Sequence, residues 1–235
     1  MKLRMQITKD QEIRFISHLE YVRTIGRAIR RAKLPAAYSE GFNPHLKFSL
    51  ASALGVGVVS YTEFVEIELA EPMEVLAAAQ ALDAALPRGI RVLAADAVDT
   101  HHAALMSQAA GAEYRVTLPW AADISEAAAD FNAAPQLLFK KAAPKTKAGF
   151  KEIDVKFYIP HLTVTVEGEN TVFSFDCKIT PTGSMKAVDL LNALNERYAL
   201  QLPVELADIE RLRLYRVGKN GQLLPMLNAD AVKLA

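Results

Sequence analysis

What the chain lacks narrows it first. It has one cysteine, Cys177, in 235 residues. A single thiol closes no internal disulfide and builds no cysteine cage for a metal, which fits a reducing, cytoplasmic setting. Glycine and proline number 11 each, too few for a collagen-like or low-complexity chain. Net charge is zero, with 27 basic and 27 acidic side chains. Global charge therefore points to neither nucleic acid nor membrane, and any such signal has to be local. No run approaches the roughly 18 apolar residues that span a bilayer. The start, Met1-Lys2-Leu3-Arg4, leads into alternation rather than the apolar core of a signal peptide. No HExxH, GxSxG, GxGxxG or P-loop spacing occurs. No CxxxCxxC is present to ligate an iron–sulfur cluster. The histidines are scattered, so we expect no metal and no cofactor.

What is there is a chain that is 51% hydrophobic, ample for a packed core. Residues 2–8 alternate, and with the apolar run 13–16 they predict a strand or hairpin region. Ser17-His18-Leu19-Glu20 has capping-box spacing, with Ser17 as N-cap and Glu20 reaching back. A helix should follow to about Lys33, burying Leu19, Val22, Ile25, Ile29 and Ala32. Strands are predicted over 46–50, 62–69 and 90–95, and a helix over 72–86. The acidic strand with Glu63, Glu66 and Glu68 reads as a solvated sheet edge. The order is β-α-β-β-α-β, which predicts an α+β fold of ferredoxin-like type: an antiparallel sheet with helices on one face.

After a polar linker, element order suggests a decorated second copy. Strands fall at 113–118, 137–139, 153–159, 162–166, 171–179 and 209–217, and helices at 125–132 and 185–198. Residues 140–151 read as a lysine-rich loop. The expected layout is thus two lobes, 1–98 and 112–235, joined by the linker 99–111.

Three features carry candidate chemistry. Arg23, Arg27, Arg30 and Arg31 share one face of the first helix, and guanidinium forks match phosphate groups. A solvated face complementing the helix dipole would look the same. The following loop holds Tyr38, Ser39, Gly41, Phe42, Asn43, Pro44 and His45; it combines a glycine, hydrogen-bonding side chains and aromatics able to stack on a base. A structured turn would also use them. Lys145, Lys147 and Lys151 belong to a basic segment able to touch a phosphate backbone or only to aid solubility. His18 and His45 are candidate acid–base groups without a visible partner. Asp154 reads as functional or as a surface carboxylate. Thr180-Pro181-Thr182-Gly183-Ser184 reads as a helix N-cap, and Cys177 as buried packing.

The run Arg14-Phe15-Ile16-Ser17-His18-Leu19-Glu20, then Arg23, Arg27-Ala28-Ile29-Arg30-Arg31-Ala32, Leu34-Pro35 and Ala37-Tyr38-Ser39-Glu40-Gly41-Phe42-Asn43-Pro44-His45, resembles the radical SAM-linked bacterial family of unknown function. Weaker likenesses follow at 151–156, 181–183 and 211–215. Glu20 stands where that motif usually has Asp. The resemblance implies a stand-alone form of a domain often fused behind a radical SAM domain, and hence a radical SAM protein as partner. The leading expectation is an accessory module that binds a substrate, RNA first and tRNA within that, without catalysis of its own. Two alternatives stand beside it: an RNA-processing or transferase enzyme using His18 or His45, and a protein-interaction module docking on an acidic partner.

Overall fold

A computed structural model of the protein describes residues 1–99, 103–144 and 146–234. The elements are β1 (Lys2–Lys9), α1 (His18–Arg31), β2 (Phe48–Leu50), β3 (Val58–Glu68), α2 (Val75–Ala85), β4 (Val92–Val98), α3 (Leu105–Gln108), β5 (Gly111–Leu118), α4 (Ser125–Ala133), β6 (Leu138–Ala142), β7 (Phe150–Asp154), α5 (Val155–Tyr158), β8 (Thr163–Glu167), β9 (Asn170–Thr180), β10 (Gly183–Ser184), α6 (Ala187–Tyr198), β11 (Asp208–Val217), β12 (Leu223–Pro225) and β13 (Val232–Lys233). The architecture is mixed α+β with antiparallel strand pairing. Two units divide the chain: Met1–Ala110 with Arg213–Ala235, and Gly111–Leu212. Residues 213–235, expected in the second lobe, therefore belong with the first. β12 pairs with the end of β11, β13 pairs with β4, and Arg4 donates to the Met226 carbonyl at 2.8 Å.

In the first unit the strand order is β2-β3-β1-β4. Alternation along β1 aims Leu3, Met5 and Ile7 at one face, where they are fully buried. α1 contributes Tyr21, Ile25, Ala28 and Ile29 to that core, and α2 contributes Ala78, Ala79 and Leu82. Full burial of a side chain such as Ile25 contributes about 1.5–3 kcal/mol. Ser17 caps α1 by accepting the Glu20 N–H at 3.2 Å. The reciprocal half of the capping box is missing, because the Glu20 carboxylate takes Arg23 instead, at 2.6 Å. The buried stripe is also rotated from the expected one: Tyr21 and Ala28 are inside, and Leu19 is 65% exposed. A Cβ at Gly26 would come within 3.3 Å of the Phe48 ring, so this glycine lets β2 approach α1 closely.

Two further expectations fail in this unit. Residues 13–16 are not strand; a 3-10 turn, Gln11–Ile13, follows β1 and leads into α1. The acidic strand β3 is no solvated edge, since it pairs with β1 on one side and β2 on the other. Arg4 stands directly opposite Glu66, and Nη2 donates to the carboxylate at 2.8 Å. Both side chains are about 5% exposed. A buried charge is tolerable only when paired and hydrogen-bonded in this way.

The second unit runs β5, α4, β8, β9, α6, then the first half of β11, in the order β8-β9-β5-β11. The hairpin β6–β7 and α5 are inserted after α4. The ends of the lysine-rich segment 140–151 are strand rather than loop, with Lys140 opposite Glu152 and Lys141 opposite Lys151. The predicted strand 153–159 ends at Asp154, whose carboxylate accepts the Lys156 and Leu137 N–H groups and so starts α5. Residues 180–184 turn into β10 rather than capping a helix; α6 follows Lys186, which makes no side-chain cap.

Candidate functional site

The first unit gathers most of the singled-out residues on and around α1. Arg23, Arg27, Arg30 and Arg31 are all exposed, because the buried stripe through Tyr21, Ile25 and Ala28 occupies the opposite side. They are not equivalent. Arg23 pairs with Glu20. Arg31 donates to the Ala85 carbonyl at 2.7 Å, satisfying one of the orphan acceptors at the end of α2. The Arg27 and Arg30 side chains make no hydrogen bond or ion pair among the described residues, so their guanidinium groups are available to an anion.

The loop 38–45 is a closed hairpin rather than a floppy connection. Tyr38 bridges to Leu46. The Ser39 N–H donates to the His45 carbonyl at 2.8 Å, and the Ser39 hydroxyl accepts the His45 N–H at 2.9 Å. Ser39 thus serves the loop itself. Gly41 sits at φ +113°, which holds the tip open and leaves Phe42 fully exposed. Asn43, Pro44 and His45 are exposed beside it, and Tyr38 is half-exposed. The chain leaving this loop enters β2, whose Phe48 rests on Gly26. That contact ties the hairpin to the middle of α1, between Arg23 and Arg27 in sequence.

Sequence reasoning missed the turn that precedes α1. Arg14 is buried and its Nε donates to the Gly57 carbonyl at 3.0 Å. Lys9 is 1% exposed, and its ammonium donates to the Arg14 carbonyl at 2.8 Å and the Gly55 carbonyl at 3.2 Å. Next to this scaffold Phe15 is 74% exposed. No periodic signal announces it, because Phe15 lies in the turn before α1 and its exposure is set by the distant Lys9 and Gly57 contacts.

The other candidates do not join this site. Lys147 and Lys151 are exposed on and beside the β6–β7 hairpin of the second unit, and Lys145 lies outside the described residues. Asp154 is committed to backbone N–H groups. His18 opens α1. His45 is exposed and contributes backbone bonds to its loop. Cys177 is buried, which pushes its thiol up to about 11 and removes it as a nucleophile near neutral pH. Among the described residues no cluster of three or more His, Cys, Asp or Glu is placed to hold a metal, and no helix is long and apolar enough to cross a membrane. A separate cavity of about 390 Å³ in the first unit is lined by Gln6, Thr62, Phe64, Arg213, Tyr215 and Met226 among others.

No curated protein matches the chain. Among solved structures it is similar to a chain of the crystal structure of a Cbf5-Nop10-Gar1 complex, with 13% identity and a TM-score of 0.50. That likeness covers 90% of this chain and 48% of the other, so this chain spans about half the length of that one, and what they share is fold alone. A structure of an unknown protein from Galdieria sulphuraria covers 92% of this chain and 98% of the other at 15% identity, but its TM-score of 0.25 is too low to compare folds. Residues 2–190 match the family described as an uncharacterized protein conserved in bacteria, DUF2344, and to that family the chain belongs.

Proposed function

We propose that this protein is a substrate-holding module that binds RNA, with tRNA the first candidate, and presents it to a radical SAM enzyme in the cytoplasm. The observation that carries the reading is the pair Arg27 and Arg30, exposed without a partner among the described residues, on a helix that meets the aromatic-tipped hairpin 38–45 through Gly26 and Phe48. Guanidinium groups in a row suit a phosphate backbone, and Tyr38 and Phe42 offer ring faces to bases. Asn43 and His45 add hydrogen-bonding groups at the same tip. The strand orders of both units fit ferredoxin-like lobes, a scaffold on which sites of many kinds are built, so the fold adds little by itself. The radical SAM partner rests on the motif resemblance, and a single cysteine means that any cluster chemistry has to come from that partner.

Fluorescence anisotropy against labelled bulk tRNA over a salt series tests the reading. We expect binding whose log–log salt slope is steep, and the double variant Arg27→Gln/Arg30→Gln to weaken it and flatten the slope by about 1.4–1.8, two phosphates' worth of released counterions. Absence of binding at low salt, or an unchanged slope in the variant, overturns it.

A further inference from the structure

The exposed ring that the RNA reading leaves unused is Phe15. A lone exposed aromatic is ordinary; the way this one is held is not. The residue before it is fixed from several directions. The Arg14 carbonyl accepts the buried Lys9 ammonium at 2.8 Å and the Gly57 N–H at 2.8 Å. The Arg14 side chain reaches back, Nε to the Gly57 carbonyl at 3.0 Å and Nη1 to the Gln11 amide oxygen at 3.0 Å. Gly57 has φ +82°, a conformation that favours glycine, and a methyl group there would lie 3.9 Å from the ring edge. Withdrawing a lysine and an arginine from water is costly unless their donors are used, and here the donors are spent on the turn that carries Phe15. The Arg14 guanidinium carbon sits over the ring, 5.2 Å from its centroid. One face is backed by protein while the ring remains 74% exposed.

We infer that Phe15 is a stacking platform for one unpaired nucleobase, and that the RNA held by this site enters single-stranded or with a flipped base at the start of α1. A ring carried on an anchored turn and backed by a guanidinium loses less entropy on stacking than one on a free loop, and a π-face accepts any base. Past Phe15, which lies in the turn before α1, the exposed helix positions Leu19, Arg23 and Arg27 follow, with about 6 Å of rise between successive ones. That order sets an apolar contact first and phosphate contacts after it along one strand. No acidic residue follows Glu20 before Glu40, so beyond the Glu20–Arg23 pair the helix face favours a polyanion. This inference rests on the RNA reading above.

The test compares wild type, Phe15→Leu, Phe15→Trp and Arg27→Gln/Arg30→Gln by anisotropy. The probes are a 12-nucleotide unstructured RNA, a fully paired RNA duplex and poly-glutamate, over a salt series. Phe15→Leu should bind the unstructured RNA about tenfold more weakly with the salt slope unchanged, and should bind the duplex as wild type does. Phe15→Trp should keep the affinity, and its added emission should be quenched by the unstructured RNA. Because the ring is exposed, both variants should melt with wild type. The inference alone is overturned if Phe15→Leu binds the unstructured RNA as wild type does while the arginine variant loses it. It is also overturned if the loss is equal on the duplex or on poly-glutamate, which offer no free base. No binding of any RNA by wild type overturns the RNA reading and this inference together.

Discussion

The two units follow one plan and put different chemistry on it. Each runs strand, helix, two strands, helix, strand, with the orders β2-β3-β1-β4 and β8-β9-β5-β11. The first helix of the first unit is the 14-residue α1, whose four exposed arginines are reduced to two with unpartnered guanidinium groups among the described residues, Arg27 and Arg30. Its counterpart α4 has nine residues, carries Glu126 and Asp130, and has no basic residue. The second unit spends its extra chain on the β6–β7 hairpin and α5; the first spends it on the closed loop 38–45 and the turn held by Lys9 and Arg14. A shared strand order therefore fixes where helices lie and leaves open what they display.

The charged interiors give the sharpest way to probe that contrast. In the first unit Glu66→Gln leaves Arg4 buried without its counter-charge and should cost about 3–5 kcal/mol, read from denaturant midpoints. A loss under about 1 kcal/mol would mean that the Met226 carbonyl and water suffice for Arg4. In the second unit the pair Lys141–Asp189, at 2.5 Å, is only partly buried, so Lys141→Ala should cost less, about 1–2 kcal/mol. Equal losses would erase the distinction between a sheet-interior pair and a hairpin anchor.

Tyr198 supplies a pH-dependent version of the same test. Burial first, and the hydrogen bond to Asp130 at 2.8 Å second, push its phenol up from 10 to about 12. The folded value lies above the unfolded one, so the contribution is complete below about pH 10 and is lost as pH rises through about 12. Tyr198→Phe should flatten that alkaline decline in thermal melts, and an unchanged decline would place its origin elsewhere. The smallest expected effect is that of Arg27→Gln/Arg30→Gln on stability, within about 0.5 kcal/mol. A larger destabilisation would show that these arginines serve the fold after all, as Arg31 does at the end of α2.

Much of the local structure was legible from short-range patterns. Ser17 and the helical spacing placed α1, and alternation placed β1, β3 and β9. The misreadings share a cause: they turn on partners far away in sequence. Leu19 fits a helical period with Val22 and Ile29, yet the sheet meets the Tyr21–Ile25–Ala28 side. Residues 140–151 look like a loop by composition, but cross-strand pairing turns both ends, 140–142 and 150–151, into the strands of a hairpin. Glu63, Glu66 and Glu68 read as an edge because nothing local announces Arg4 as their neighbour. Lys9 passes for a surface lysine at the end of a strand until Arg14 and Gly55 are seen to surround its ammonium.

What the sequence determined by itself is the alternation and capping that make these strands and helices, the arginine face and the Gly-Phe-Asn-Pro-His loop. Those are properties of residues within a turn or two of one another. The tertiary structure alone decided which arginines remain available, that the acidic strand is interior, that the tail 213–235 returns to the first unit, and that Phe15 is exposed on the turn anchored by Lys9 and Arg14. Each of these depends on burial and on the pairing of charges distant along the chain, which no local pattern encodes.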